Sequence, residues 1–528
     1  MALMVSLLAV EILFFSQRKA TSAFTLLKII VIALSLTWSQ LLIYATVVGV
    51  DPWGHLQFTN AILDKGYIPP GYGYSKFPVM HLIIATTSLI TNLGYKMATM
   101  FSISLLQVIC DLTFIFLLGK FVHSSKAGLL AALLLGAAGF HVHFGYWIIP
   151  NILGITLVII TSYLLLKLKR EKPYAATLVI LLLMGVLIFT HTLASATLAL
   201  LLLVFWLGFK VYYRLYEERT NMPIQFNMVL LFPVCMFSWW MYSTGHLRTL
   251  VNMLRGGFGE IYWGDIAIPE RILQHQRVIP FTELIFNDLG SLLFFAFALV
   301  GCLYMMNSKF GNKYGFALIL GAFAPITVTL SIRAAGGFIV DSRWWYFSQI
   351  LLSIFLAIAF LLLCSLLKHN LMKWLLLSIL TFGLSFLMIL SPLENMDNRA
   401  FSPNSKVRYG YTESESQAVL TLSTVWDGYI GVDRQYGHLA LLPQLESVPL
   451  IKHRDESLVT QDFSELEDEL VIIRREITEY PFNCYNSLWI LDYDPYNFLS
   501  EQGFSHIYSC GTVDSYLLHI IKHNIQLE

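Results

Sequence analysis

Eleven apolar runs, each long enough to cross a bilayer, constrain this chain more than any other feature. They fall near residues 24 to 49, 97 to 119, 127 to 144, 147 to 166, 174 to 190, 192 to 209, 225 to 243, 289 to 307, 314 to 331, 346 to 367 and 373 to 391. A stretch of about 20 apolar residues is what a spanning helix needs, because lipid offers no partner for an unpaired backbone group. With 13% charged residues, against roughly 25% in ordinary soluble domains, and a mean hydropathy of +0.65, the composition agrees. The expected fold class is a polytopic α-helical membrane protein of about 11 transmembrane helices, with a C-terminal external α/β domain. A formal net charge of zero and the lack of a basic tail exclude a nucleic-acid partner.

A shorter apolar run at 78 to 94 begins at a proline and carries His81, Thr86, Thr87, Ser88 and Thr91, so it reads either as a span or as an interfacial helix. Charge decides between them. If it does not span, Arg18/Lys19, Lys120/Lys126, Lys167 to Lys172, Lys210/Arg214/Arg219, Lys309/Lys313 and Lys368/Lys373 all fall on one side, the cytoplasmic side by the positive-inside rule. The run is therefore interfacial, and the C-terminus is external. The segment before Arg18 is apolar for about fifteen residues and is broken by Glu11. It is an interfacial helix or the remnant of another span.

The expected domains are a membrane domain over 1 to 391, with a first external loop at 51 to 96 and a long one at 244 to 288, and a soluble domain over 392 to 528. In the latter, ESESQAVLTLSTVW reads as an amphipathic helix. YIGVD, PLIKH, ELVIIRRE and SLWILDY read as strands, and FSHIYSCGTVDSYLLH as a hairpin about a glycine. Cys484 and Cys510 either pair or stay free. No Cys/His cluster suggests zinc.

The external face collects the residues able to do chemistry. Asp51 follows the first full span, and an acid at that boundary is a functional candidate, although Asp51-Pro52 could equally just stop a helix. His55 shares its face if a helix runs through Pro52, and otherwise is a polar interface residue. Lys76 sits where the loop re-enters the apolar region and suits an anionic headgroup; the alternative is a snorkelling lysine. Arg333 and Arg343, at the external ends of two successive runs, match phosphate geometry, with pairing to Asp341 as the alternative. His55, His81, His141 and His191 are site-lining candidates; His141, His143 and His191 are either structural histidines or, together with Asp51, the lining of a site for a divalent metal, the one cofactor left open.

The stretch SKFPVMH, with Lys76, Pro78 and His81, together with the acid after the first span, resembles the GT-C glycosyltransferases. The branch in question includes protein O-mannosyltransferases and aminoarabinose transferases, whose loop commonly ends E-K-P-P-L-H. Ser75 and Phe77 stand here where Glu and Pro are usual, and Asp51 is followed by Pro52 rather than by a second acid. The oligosaccharyltransferase branch carries a further acidic loop motif and W-W-D-Y-G; this chain has HVHFGYW at 141 to 147 and keeps only Trp426-Asp427. The resemblance implies an inverting transferase that takes a sugar from a polyprenyl-phosphate carrier on the external face. It also implies that Asp51 is catalytic base or metal ligand, that Lys76 is the cation near the carrier phosphate, and that a protein, lipid or glycan is the acceptor. Two other classes remain open from the residues alone. A transporter or flippase would use Asp111 inside a span; a surface protein would bind its partner through the tail.

Overall fold

The structure is a computed structural model that describes residues 1–14, 19–168, 173–216, 222–248, 251, 279–307, 309–334, 341–395, 401–405, 407–442, 445, 450–463, 469–484 and 487–518. Arg18, Lys169, Arg170, Lys172, Arg219, Gly336, Gly337 and most of the 244 to 288 loop, from Arg255 to Arg277, lie outside the described residues. The chain divides into two compact units. One comprises Met1–Ser39, Phe58–Gly264 and Asp288–Glu394; the other comprises Gln40–Gln57, Asp265–Asn287 and Asn395–Glu528.

The first unit is helical. Its elements, some of which run on into the second unit, are α1 (Ala2–Phe14), α2 (Lys19–Ile43), α3 (Asp51–Lys65), α4 (Val79–Thr91), α5 (Tyr95–Val122), α6 (Ser125–Gly136), α7 (Gly139–Tyr146), α8 (Pro150–Lys167), α9 (Pro173–Ile188), α10 (Thr192–Leu215), α11 (Phe226–Thr244), α12 (Phe281–Met306), α13 (Lys313–Ala334), α14 (Asp341–Ser365) and α15 (Asn370–Leu390). Among the described residues nine helices are long and apolar enough to cross a membrane, and α6 with α7, bent by 55° at their junction, makes a tenth. With the shorter apolar α9, every one of the eleven runs has its helix, and the chain is a multi-pass membrane protein. The run at 78 to 94 becomes α4, thirteen residues long and too short to span. The N-terminal run becomes α1, packed against α15 and α6, with Glu11 paired to Lys28 of α2 at 2.8 Å.

Close helix contacts rest on glycine. A Cβ on Gly301 of α12 would lie 1.9 Å from the Phe355 carbonyl oxygen of α14, and one on Gly128 of α6 would lie 2.3 Å from that of Phe116 in α5. Only a residue without a side chain lets these backbones meet.

The second unit holds α16 (Glu413–Val425), α17 (Asp455–Thr460) and α18 (Pro495–Glu501) with strands β1 (Tyr429–Val432), β2 (Leu450–His453), β3 (Glu469–Arg474), β4 (Phe482–Cys484), β5 (Ser487–Trp489), β6 (Phe504–Ser509) and β7 (Val513–Leu518). The main sheet runs β2-β1-β3-β7-β6, with β1 parallel to β2 and β3, and β7 antiparallel to β3 and β6. The expected amphipathic helix starts at a capping box, Thr412 with Glu415, and the expected hairpin turns at Gly511, whose φ of +81° suits glycine. SLWILDY contributes only β5, which pairs with β4 in a separate two-stranded sheet. Cys484 and Cys510 are both free thiols.

Buried charge organises this unit. Arg474 donates from Nε and Nη2 to both oxygens of Asp433 at 2.8 and 2.7 Å, and Arg408 pairs with Glu415. Arg474 also lies over the rings of Tyr411 and Tyr436, at 5.7 and 5.3 Å. A fully buried guanidinium is tolerated only when paired in this way.

Candidate functional site

The first full span does not reach Asp51 directly. α2 ends at Ile43, and residues 44 to 50 form a separate segment held against the chain at 409 to 411. Ala45 N–H donates to Tyr411 O at 3.0 Å and Gly49 N–H to Tyr409 O at 3.1 Å, while the Trp53 ring lies 5.9 Å from that of Tyr411. Gly49 takes φ +108°, which turns the chain into α3. Asp51-Pro52 therefore opens a helix rather than stopping one. Proline fits an early helical position, and a carboxylate in the first turn faces the positive end of the macrodipole. Asp51 is exposed; His55, one turn on and on the same face, is buried with 4% exposure, so it is not a polar interface residue.

In the first unit, the K-x-P-x-x-H stretch divides its labour. Lys76 is exposed, Pro78 occupies the cap position of α4, and Phe77 is buried against the ring of His246 at 5.4 Å. His81 is fully buried, its ring 4.6 Å from Phe58 and 5.6 Å from Tyr74. The histidine of this stretch thus seats α4 on the second half of α3, while the lysine is exposed.

Arg343 is half-buried in the first turn of α14, between buried Trp344 and the described start of the helix. Arg333 lies in the last turn of α13, and its side chain, like that of Asp341, lies outside the described residues. Lys76 and Arg343 belong to the first unit and Asp51 to the second, each on its own element.

The histidines do not form the metal constellation they suggested. His141 is buried on α7 with Nε2 3.9 Å from Asp111 Oδ2. His143 shares Nδ1 with the Tyr146 hydroxyl at 2.9 Å and lies 3.2 Å from the Leu393 carbonyl. His191 is buried at the cap of α10, its carbonyl accepting from Ser195 Oγ at 2.9 Å. Among the described residues no group of three or more His, Cys, Asp or Glu side chains could hold a metal ion.

Two acids take places that sequence reasoning did not give them. Glu394 is buried just beyond α15, neither carboxyl oxygen has a hydrogen-bond partner among the described residues, and burial holds its carboxyl well above the usual range. The only signal was its position, three residues past an apolar run. Asp111, the residue a transporter would use, instead accepts from Thr156 and Tyr346.

The architecture is that of solved membrane transferases. The Archaeoglobus fulgidus oligosaccharyltransferase in its apo form matches with a TM-score of 0.54 at 12% identity, over 87% of this chain and 70% of that one. The same enzyme in complex with Zn and sulfate gives 0.53 at 13% identity, over 93% and 73%. ArnT from Cupriavidus metallidurans bound to undecaprenyl phosphate gives 0.50 at 11% identity, over 93% and 97%. Identities this low establish a shared fold. No family profile matches the chain, and no curated protein sequence does.

Proposed function

We propose that this chain, whose fold is that of the GT-C glycosyltransferases, is an inverting transferase moving a sugar from a polyprenyl-phosphate carrier to an acceptor on the external face of the membrane. The observation that carries the reading is Asp51, an exposed carboxylate in the first turn of a helix that begins eight residues after the first span. ArnT was solved with undecaprenyl phosphate, which makes a polyprenyl phosphate the carrier to test here. The one-sided basic clusters support a cytoplasmic start for the first span and an external position for Asp51 and residues 392 to 528.

In this reaction an acceptor hydroxyl or amide attacks the anomeric carbon opposite the phosphate. Asp51 takes the acceptor's proton as the new bond forms. The bond from the anomeric carbon to the phosphate oxygen breaks, and the lipid phosphate leaves with the electron pair. Lys76, Arg343 and Arg333 stabilise that developing charge, where fixed cations contribute most. One neighbour was solved with zinc, but the described residues offer no group fit to hold such an ion, so no step is routed through one. The transporter reading rested on Asp111. Its carboxyl is occupied by two hydroxyl donors, which favours an anchor between helices.

Purified full-length protein, supplied with polyprenyl-phosphate-linked sugars and an acceptor extract, tests the proposal. Asp51→Asn should lower sugar transfer by about 100-fold or more, the usual contribution of a positioned base. Transfer unchanged in that variant would exclude Asp51 as the base. Substrate flux into proteoliposomes without a covalent product would favour the transporter.

A further inference from the structure

Asp111 is fully buried inside α5, at a depth where an ionisable side chain is expensive to keep. Both its oxygens are engaged, each by a different helix. Thr156 Oγ1 of α8 donates to Oδ1 at 2.8 Å, and the Tyr346 hydroxyl of α14 donates to Oδ2 at 3.2 Å. That hydroxyl is itself held by Gln107 Nε2, which donates to it at 2.7 Å and reaches the His141 carbonyl at 3.3 Å. The Tyr346 ring stacks on Phe144 of α7, centroids 5.1 Å apart. One turn further along α14, Gln349 accepts the Phe140 N–H at 3.1 Å. The polar row on α14 therefore runs Arg343, Tyr346, Gln349 at spacings of three, so all lie near one face, with about 4.5 Å of rise between neighbours.

The first two members of that row differ in one respect. Tyr346 is fully enclosed and bonded in both directions, whereas Arg343, one turn nearer the helix start, is half-buried. A rotation or slide of α14 would move Arg343 by as much as it moved Tyr346. We propose that Asp111 is a positioning residue for Arg343: by holding the Tyr346 hydroxyl it fixes the rotation and register of α14, and so the place at which the guanidinium meets a phosphate. This rests on the reading of Arg343 as a carrier-phosphate ligand. The bond from Thr156 ties Asp111 to α8 and does not touch α14, which provides an internal control.

The experiment is a binding cycle in full-length protein in nanodiscs, with undecaprenyl phosphate as the probe and tryptophan fluorescence as the readout. Asp111→Ala and Tyr346→Phe should each weaken binding about tenfold, a hydrogen bond's worth of phosphate contact. Thr156→Val should change it by less than about threefold, a fraction of that bond. In an Arg343→Gln background, Asp111→Ala and Tyr346→Phe should add nothing. Undiminished effects in that background, or a Thr156→Val loss equal to that of Asp111→Ala, would overturn the proposal. Should Arg343→Gln alone leave affinity unchanged, the phosphate reading of Arg343 fails, and the anchor is then judged separately. Arg343→Cys is modified with a water-soluble maleimide, and the rate at that position is followed by mass spectrometry. A rate several-fold altered by Tyr346→Phe sustains the anchor; an unaltered rate removes it.

Discussion

Replacing Asp433 by alanine should open the second unit's sheet to solvent far more often, because it strands a buried cation. Arg474 has 0% exposure and gives Asp433 two hydrogen bonds, at 2.8 and 2.7 Å. Its next carboxylate, Glu415, is 3.7 Å away and already paired with Arg408. Removing one partner of a buried ion pair costs about 3 to 5 kcal/mol, and the remaining Glu415 argues for the lower end. Asp433 also accepts the Tyr436 N–H at 3.0 Å, a hydrogen bond whose loss adds about 1 kcal/mol. The expected total is near 4 kcal/mol, or about a thousandfold in the opening constant. Hydrogen exchange with mass spectrometry on the full chain reads this at the β3 amides, which bond to β1 and β7. Asp433→Leu with Arg474→Met, removing both charges, should recover most of the protection, since paired apolar replacement is often neutral. A change below about tenfold in Asp433→Ala, or a double variant as open as the single, would refute the reasoning.

Two further outcomes follow from single positions. Burial, reinforced by the charge of Asp433, pushes the Asp455 carboxyl up to about 7 in the fold, against about 3.9 when unfolded. The folded state therefore holds the extra proton, and stability is lost as pH rises from about 4 to 7, by up to about 4 kcal/mol for a shift near three units. Asp455→Asn keeps an acceptor for the Arg434 N–H and should flatten that slope; equal pH dependence of β2 and β3 exchange in both proteins would count against it. Gly301→Ala would place its Cβ 1.9 Å from the Phe355 carbonyl oxygen, so thermal melting should fall by several degrees, whereas Gly185→Ala, with nothing within 4 Å, should not lower it. Equal melting of the two variants would mean that α12 and α14 part freely.

The helices were legible because lipid demands long apolar runs, a property of consecutive residues. Charge asymmetry then separated α4 from the spans without any tertiary information, and thirteen residues from Val79 to Thr91 match that reading. In the tail, alternation and turn residues marked β1, β3, β6 and β7. What local pattern could not show was partnership across the chain. Asp111 finds Tyr346 at a separation of 235 residues, Tyr146 finds Leu393 at 247, and Arg474 finds Asp433 at 41. The same blindness left His141, His143 and His191 open between structural histidines and metal ligands, since a buried histidine and a metal-bound one read alike in sequence. Asp51-Pro52 was ambiguous for another reason. The pair fits both the end and the start of a helix, and only Gly49 with its bond to Tyr409 decides which.

The bend between α6 and α7 has a consequence for how the protein is made. A break inside the membrane leaves backbone groups that lipid cannot satisfy. Here the Phe140 N–H is satisfied by Gln349, 209 residues later in the chain, and the His143 and Tyr146 side chains by Leu393, 250 and 247 residues later. At about 5 to 20 residues per second of synthesis, α7 leaves the ribosome roughly 10 to 50 seconds before its partners exist. Through that interval the bent pair of helices must keep water or an insertion factor beside it. A cell short of that assistance would lose this protein before α14 arrives.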